Sequence, residues 1–197
     1  MKILNPNYSW ANGLTTRGKT DAIVVHHRAG NGDVMSIHNL HINQNGWAGI
    51  GYHFYVRKNG DVFRGRPIDK MGAHASGHNS HTIGICFEGN FEKEKMSNIQ
   101  IESGRELIKY IREYYKSELP VLKHSDVCAT SCPGKLFPFD EITSPILASN
   151  DDTVNRMYID GIITKENIGN WEAFLSGKST PKPEYIRTII ERYQDKI

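Results

Sequence analysis

The sequence has no apolar stretch approaching the ~20 residues a membrane-spanning helix needs, so no membrane insertion is expected. Its first residues, MKILNPNYSW, lack the apolar core of about 7 to 15 residues that marks an export signal, and the expectation is a chain made and held in the cytoplasm. Cysteine is scarce and odd in number: three, at positions 86, 128 and 132. That does not suit a secreted disulfide framework and leaves a thiol to be read as a ligand. Neither sign of charge dominates, with 24 Lys and Arg against 22 Asp and Glu, so nucleic acid is not an implied partner. Histidine is missing from the last third: there are nine, at 26, 27, 38, 41, 53, 74, 78, 81 and 124. The chemistry therefore belongs to the first two thirds of a 197-residue chain, a length that suits one well-packed domain with a small appendage.

Two distant stretches hold the ligand-type side chains. The run AIVVHH, residues 22–27, is a β-branched apolar segment of the kind buried on both faces of a sheet. It ends in two histidines that must point to opposite faces, so only one of them can serve a given metal. The stretch VLKHSDVCATSCPGKL, residues 121–136, carries His124, Cys128 and Cys132. The spacing of four would put all three on one side of a helix, but Cys132-Pro133-Gly134 argues against a helix continuing there and favours Cys132 over Cys128. Imidazole and thiolate are donors that zinc prefers, and two histidines with one cysteine leave one of its four positions open, as in catalytic sites. A zinc hydrolase is the reading these residues support.

The remaining periodicity predicts an α/β domain with a central mixed β-sheet flanked by helices over residues 1–145. Residues 1–20 read as an irregular lead-in. Asp33 is expected to cap a helix over 34–44 with Met35, His38 and Ile42 on one face and His41 beside them, the two histidines reading as its polar side. Tyr52 to Val56 and Val62 to Arg64 flank Asn59-Gly60, a hairpin signal, with Tyr52 and His53 at the start of the first strand. Thr82 to Phe87 reads as a strand, and Ser97 with Gln100 as a capping box opening a helix that runs to about Lys116. From 151 to 197 three short amphipathic helices are expected, a small module for wall binding, packing or homodimerisation.

IVVHHRAG (23–30), GYHFYVRKNGDVFRGR (51–66), GAHASGHNSHTIGICFEGNF (72–91) and HSDVCATSCPG (124–134) together resemble, in order and spacing, the zinc-dependent N-acetylmuramoyl-L-alanine amidases of the amidase-2 family. That family shares its fold with phage T7 lysozyme and the peptidoglycan recognition proteins. The resemblance implies His26, His124 and Cys132 as ligands to Zn2+. It implies Tyr52 as the catalytic tyrosine and Thr130 at a position that relatives fill with lysine or threonine. It also implies a substrate groove lined by His74 and Asn79; His53, facing the opposite way from Tyr52 on its strand, is expected in packing or in contact with substrate.

The activity implied is hydrolysis of the amide between N-acetylmuramic acid and L-alanine in bacterial peptidoglycan, with Tyr52 and Thr130 stabilising the oxyanion. With no export signal, such an activity resembles that of a phage endolysin that waits in the cytoplasm for holin-mediated release to the host cell wall. Two rivals are a non-catalytic peptidoglycan-binding protein, which would have lost the cysteine ligand, and a cytoplasmic recycling amidase acting on soluble muropeptides, whose third ligand is usually aspartate.

Overall fold

The computed structural model of the protein describes residues 2–144, and the division of the chain into units falls after Ser144. The three helices expected over 151–197, and the homodimer through them, lie outside the described residues.

Six strands form one mixed sheet: β1 (Ile3–Leu4), β2 (Ala22–His27), β3 (Phe54–Val56), β4 (Val62–Arg64), β5 (Thr82–Phe87) and β6 (Val121–Lys123), in the order β1-β4-β3-β5-β2-β6. Only the β3–β4 hairpin is antiparallel. The expected turn at Asn59-Gly60 closes it, with Gly60 at φ +87°. β2 and β5 are the apolar runs, and both are buried almost throughout, as central strands covered on two faces must be.

The two faces are covered by different helices. Ile23, Val25, Phe54, Val56, Ile83, Ile85 and Phe87 pack under α2 (Asn98–Tyr115) through Ile101, Leu107, Ile108 and Ile111. Tyr55 and Cys86 face the other way, against Val34 and Ile37 of α1 (Val34–Asn43). The alternation expected of the histidine pair follows from this. His26 is in register with Cys86, on the α1 side, while His27 packs against Phe91 with ring centroids 6.2 Å apart.

Asp33 caps α1 as expected, accepting from Ser36 N–H at 2.8 Å. The capping box at α2 is only half formed. Ser97 Oγ accepts from Gln100 N–H, but the Gln100 side chain turns inward and donates to the carbonyls of Val56 and Glu88 at 3.1 and 2.9 Å. It ties the helix to the sheet instead of closing the cap.

One expectation needs correction. His38 and His41 do not sit on a polar side: they are 2% and 7% exposed, and their Nδ1 atoms accept from Ile50 and Gly51 N–H. The buried stripe is Val34, Ile37, His38, His41, a run of i, i+3, i+4, i+7, and Met35 is turned out. The lead-in is mostly irregular, as expected, yet it is tied to the domain. β1 adds to the sheet edge, Tyr8 stacks on His38 at 4.7 Å, and the buried Arg17 guanidinium donates to the carbonyls of Ile68 and Lys70.

Candidate active site

Strand register brings the first two ligand-type side chains together. β2 and β6 run parallel with Val25 opposite Lys123, so the next residue on each is a histidine, His26 beside His124. Their ring centroids are 4.4 Å apart. His124 opens the short helix α3 (His124–Val127), which ends before the motif does: Cys128 is extended, at φ −140°, ψ 153°. The helical spacing of four is therefore broken between the cysteines. Cys128 Sγ lies toward the Ser76 carbonyl at 3.7 Å, away from the pair.

Cys132 is carried back to the histidines by its loop. Ser125 N–H donates to the Cys132 carbonyl at 2.8 Å, and His27 N–H donates to Cys132 Sγ at 3.4 Å. The donor atoms of His26, His124 and Cys132 lie within 4.8 Å of one another, and among the described residues this is the one such group of three. Tetrahedral zinc with Zn–N and Zn–S bonds of its usual length holds its donors about 3.5 Å apart. His26 Nδ1 is 3.9 Å from Cys132 Sγ, so the set fits such an ion with a small contraction.

The charge state of the three also fits. Burial, then the neighbouring His124 and His27, hold His26 well below the usual imidazole range, and burial followed by His27 lowers His124. Both are neutral imidazoles at pH 7, the form that can bind a metal. Burial raises the Cys132 thiol to about 11, against the pull of the His27 N–H, and a bound cation would reverse that by taking the thiolate.

Tyr52 stands over this centre, its ring centroid 5.2 Å from that of His26. It lies just before β3, which begins at Phe54 instead of Tyr52. Burial, together with the sulfurs of Cys86 and Cys132, holds its phenol well above its ordinary range. It is a proton-bearing donor throughout the neutral range. Thr130 is exposed, and its Oγ accepts from Cys132 N–H at 3.2 Å. That bond shapes the turn presenting the ligand, while the hydroxyl keeps its own proton to donate.

The three residues expected along the groove are each held by hydrogen bonds within the fold. His53 is 0% exposed, accepts from Gly84 N–H at 3.0 Å and lies 2.8 Å from the Lys70 carbonyl. With Nδ1 accepting, the one proton of a neutral ring sits at Nε2 and goes to that carbonyl. Both nitrogens are thus used within the fold, and burial lowers the ring to about 3, so His53 is a packing residue and not a groove residue. Asn79 turns its Oδ1 into its own loop, accepting from His74 and Ala75 N–H. His74 is 8% exposed and lies behind His26.

Two neighbours of Tyr52 were given no part in the site by the sequence. Cys86 abuts the phenol from β5. His41 packs 4.7 Å from Trp47 and 5.7 Å from Tyr52, and its place in the α1 stripe was the available signal.

Residues 16–135 match the Amidase_2 family, N-acetylmuramoyl-L-alanine amidase. Peptidoglycan-recognition protein SC2 of Drosophila melanogaster is 35% identical over 122 residues, covering 56% of this chain and 66% of that protein, so the match spans just under two thirds of that relative. The endolysin of Klebsiella phage KP32 is 31% identical over 129 residues, 61% of this chain and 84% of the endolysin. Among solved structures, N-acetylmuramoyl-L-alanine amidase LysC from Clostridium intestinale URNW superposes with a TM-score of 0.69 at 42% identity, covering 72% of this chain and 95% of that one. Fold, motif order and sequence agree, and the chain belongs to the amidase-2 family of N-acetylmuramoyl-L-alanine amidases.

Proposed function

We propose that this protein hydrolyses the amide between N-acetylmuramic acid and L-alanine in bacterial peptidoglycan, as a zinc enzyme of the endolysin type. The observation that carries the reading is the convergence of His26, His124 and Cys132 with Tyr52 above them. Three protein donors and a neighbouring phenol are the parts a hydrolytic metal site needs; a purely structural site would close its fourth position with a protein ligand.

His26, His124 and Cys132 would hold the ion. Zinc bound there supplies a Lewis acid for the scissile carbonyl and a water of lowered pKa. Tyr52, kept protonated by burial, donates its O–H to the oxygen on which negative charge develops. Thr130 offers a second, weaker donor at the rim, neutral where a lysine would add charge. The His27 N–H holds the Cys132 sulfur in place from behind. Among the described residues no helix is long and apolar enough to cross a membrane. Accumulation in the cytoplasm and holin-mediated release to the wall follow from the endolysin reading, supported by the resemblance to phage endolysins.

Treating purified cell walls with the zinc-loaded protein tests this. Solubilisation that stops on chelation and returns with zinc supports the amidase. Wall binding without solubilisation would favour a recognition protein, and cleavage confined to soluble muropeptides a recycling enzyme.

A further inference from the structure

The ring of His74 is buried directly behind His26. His26 Nε2 is 3.0 Å from His74 Nδ1, the two rings meeting edge-on at 83° with centroids 5.0 Å apart. The other nitrogen of His26, Nδ1, is the one that faces Cys132 Sγ. A neutral imidazole carries one proton. If Nδ1 is left bare for a metal, the proton sits at Nε2 and is donated to His74 Nδ1. His74 must then carry its own proton at Nε2, an atom buried in the fold, and the Thr82 backbone beside the ring hydrogen-bonds it in the sense that favours a proton there.

The surroundings hold the ring in this place. A Cβ on Gly72 would lie 2.4 Å from His74 Cδ2, and one on Gly84 would lie 2.5 Å from Cγ, closer than real Cβ atoms come. The two glycines form a slot as thin as an imidazole. Asn79 Oδ1 accepts from the N–H groups of His74 and Ala75 at 2.8 and 3.0 Å, pinning the loop that inserts the ring.

We propose that His74 is a positioning residue for the metal centre: it accepts the Nε2 proton of His26, fixes that ring's tautomer and orientation, and so presents Nδ1 to zinc. Asn79, Gly72 and Gly84 hold His74 in turn. The inference rests on the zinc reading given above and assigns His74 to the metal instead of to substrate.

Two measurements test it. In the zinc-loaded wild-type protein, 15N NMR of the imidazoles reads the tautomers directly, and the expected result is a proton on Nε2 of both His26 and His74. A proton on His74 Nδ1 overturns the proposal. The second is zinc affinity by competition with a chromophoric chelator. His74→Ala should weaken it by about 10- to 100-fold, the usual cost of losing the partner of a ligating histidine. His74→Asn places an oxygen near the lost Nδ1 and should recover most of the affinity, whereas His74→Gln should not. Unchanged affinity in all three variants with a raised KM would overturn the proposal in favour of a substrate contact. Should the Ala variant not fold, the tautomers of the wild-type protein still decide. Absence of zinc binding by the wild type would instead remove the zinc reading itself.

Discussion

The backbone N–H of His27 donates to the sulfur of Cys132 at 3.4 Å, across 105 residues of sequence. One end of a central strand thereby fixes the sulfur proposed as the third ligand, and the bond stabilises a thiolate more than a thiol. Burial outweighs it in the metal-free protein and leaves the thiol at about 11.

Zinc uptake should therefore release one proton from Cys132 near neutral pH, because zinc takes the thiolate. His26 and His124, both lowered from 6.5, contribute none above pH 7. Affinity should rise about tenfold per pH unit between roughly pH 7 and 9. Calorimetry in buffers of different ionisation heat counts the protons, and a count of zero would exclude Cys132 as the ligand.

Cys132→Ala should lose zinc and activity together, while Cys128→Ala should keep both within about twofold, since Cys128 turns toward Ser76. Metal content after dialysis separates the two. Zinc retained in Cys132→Ala and lost in Cys128→Ala would reverse the assignment.

Tyr52→Phe should retain zinc at wild-type affinity and lower kcat by about 10²- to 10³-fold, the cost of one oxyanion donor. The wild-type pH–rate profile should show no tyrosine ionisation below pH 10, because burial holds the Tyr52 phenol above its ordinary range. Equal kcat in the two proteins would remove Tyr52 from the chemistry.

Acid should destabilise the metal-free fold through its buried histidines. His41 and His53 are lowered from 6.5 to about 4 and about 3, chiefly by burial. Between those values and 6.5 the unfolded chain binds protons that the folded chain refuses, so stability is full above pH 6.5 and is lost as pH falls. Each such group contributes up to about 1.4 kcal/mol per pH unit. Urea midpoints between pH 7 and 4.5 should fall accordingly, and a flat profile would contradict the burial of these rings.

Apolar runs made β2, β5 and α2 legible, and the Cys-Pro-Gly break pointed to Cys132, because each signal is local. What stayed hidden depends on tertiary partners. His38 and His41 look polar in isolation, yet they fill the α1 face because the irregular segment before β3 supplies backbone N–H groups for their Nδ1 atoms. Tyr8 and Arg17 sit in a polar, Gly- and Asn-rich lead-in, and their order comes from His38 and from carbonyls about fifty residues away. The spacing of the motifs pointed to the group of His26, His124 and Cys132 that the fold brings together, but not to the layer behind it: that His53 is spent on Gly84 and Lys70 follows only from the packed sheet.

The measurement that tests the account most directly is end-group analysis of purified cell walls digested by the zinc-loaded protein. New L-alanine amino termini without new reducing sugar ends, abolished by a chelator and restored by zinc, are the predicted result. New reducing ends without alanine termini, or no new ends of either kind despite wall binding, would contradict an amidase built on His26, His124 and Cys132.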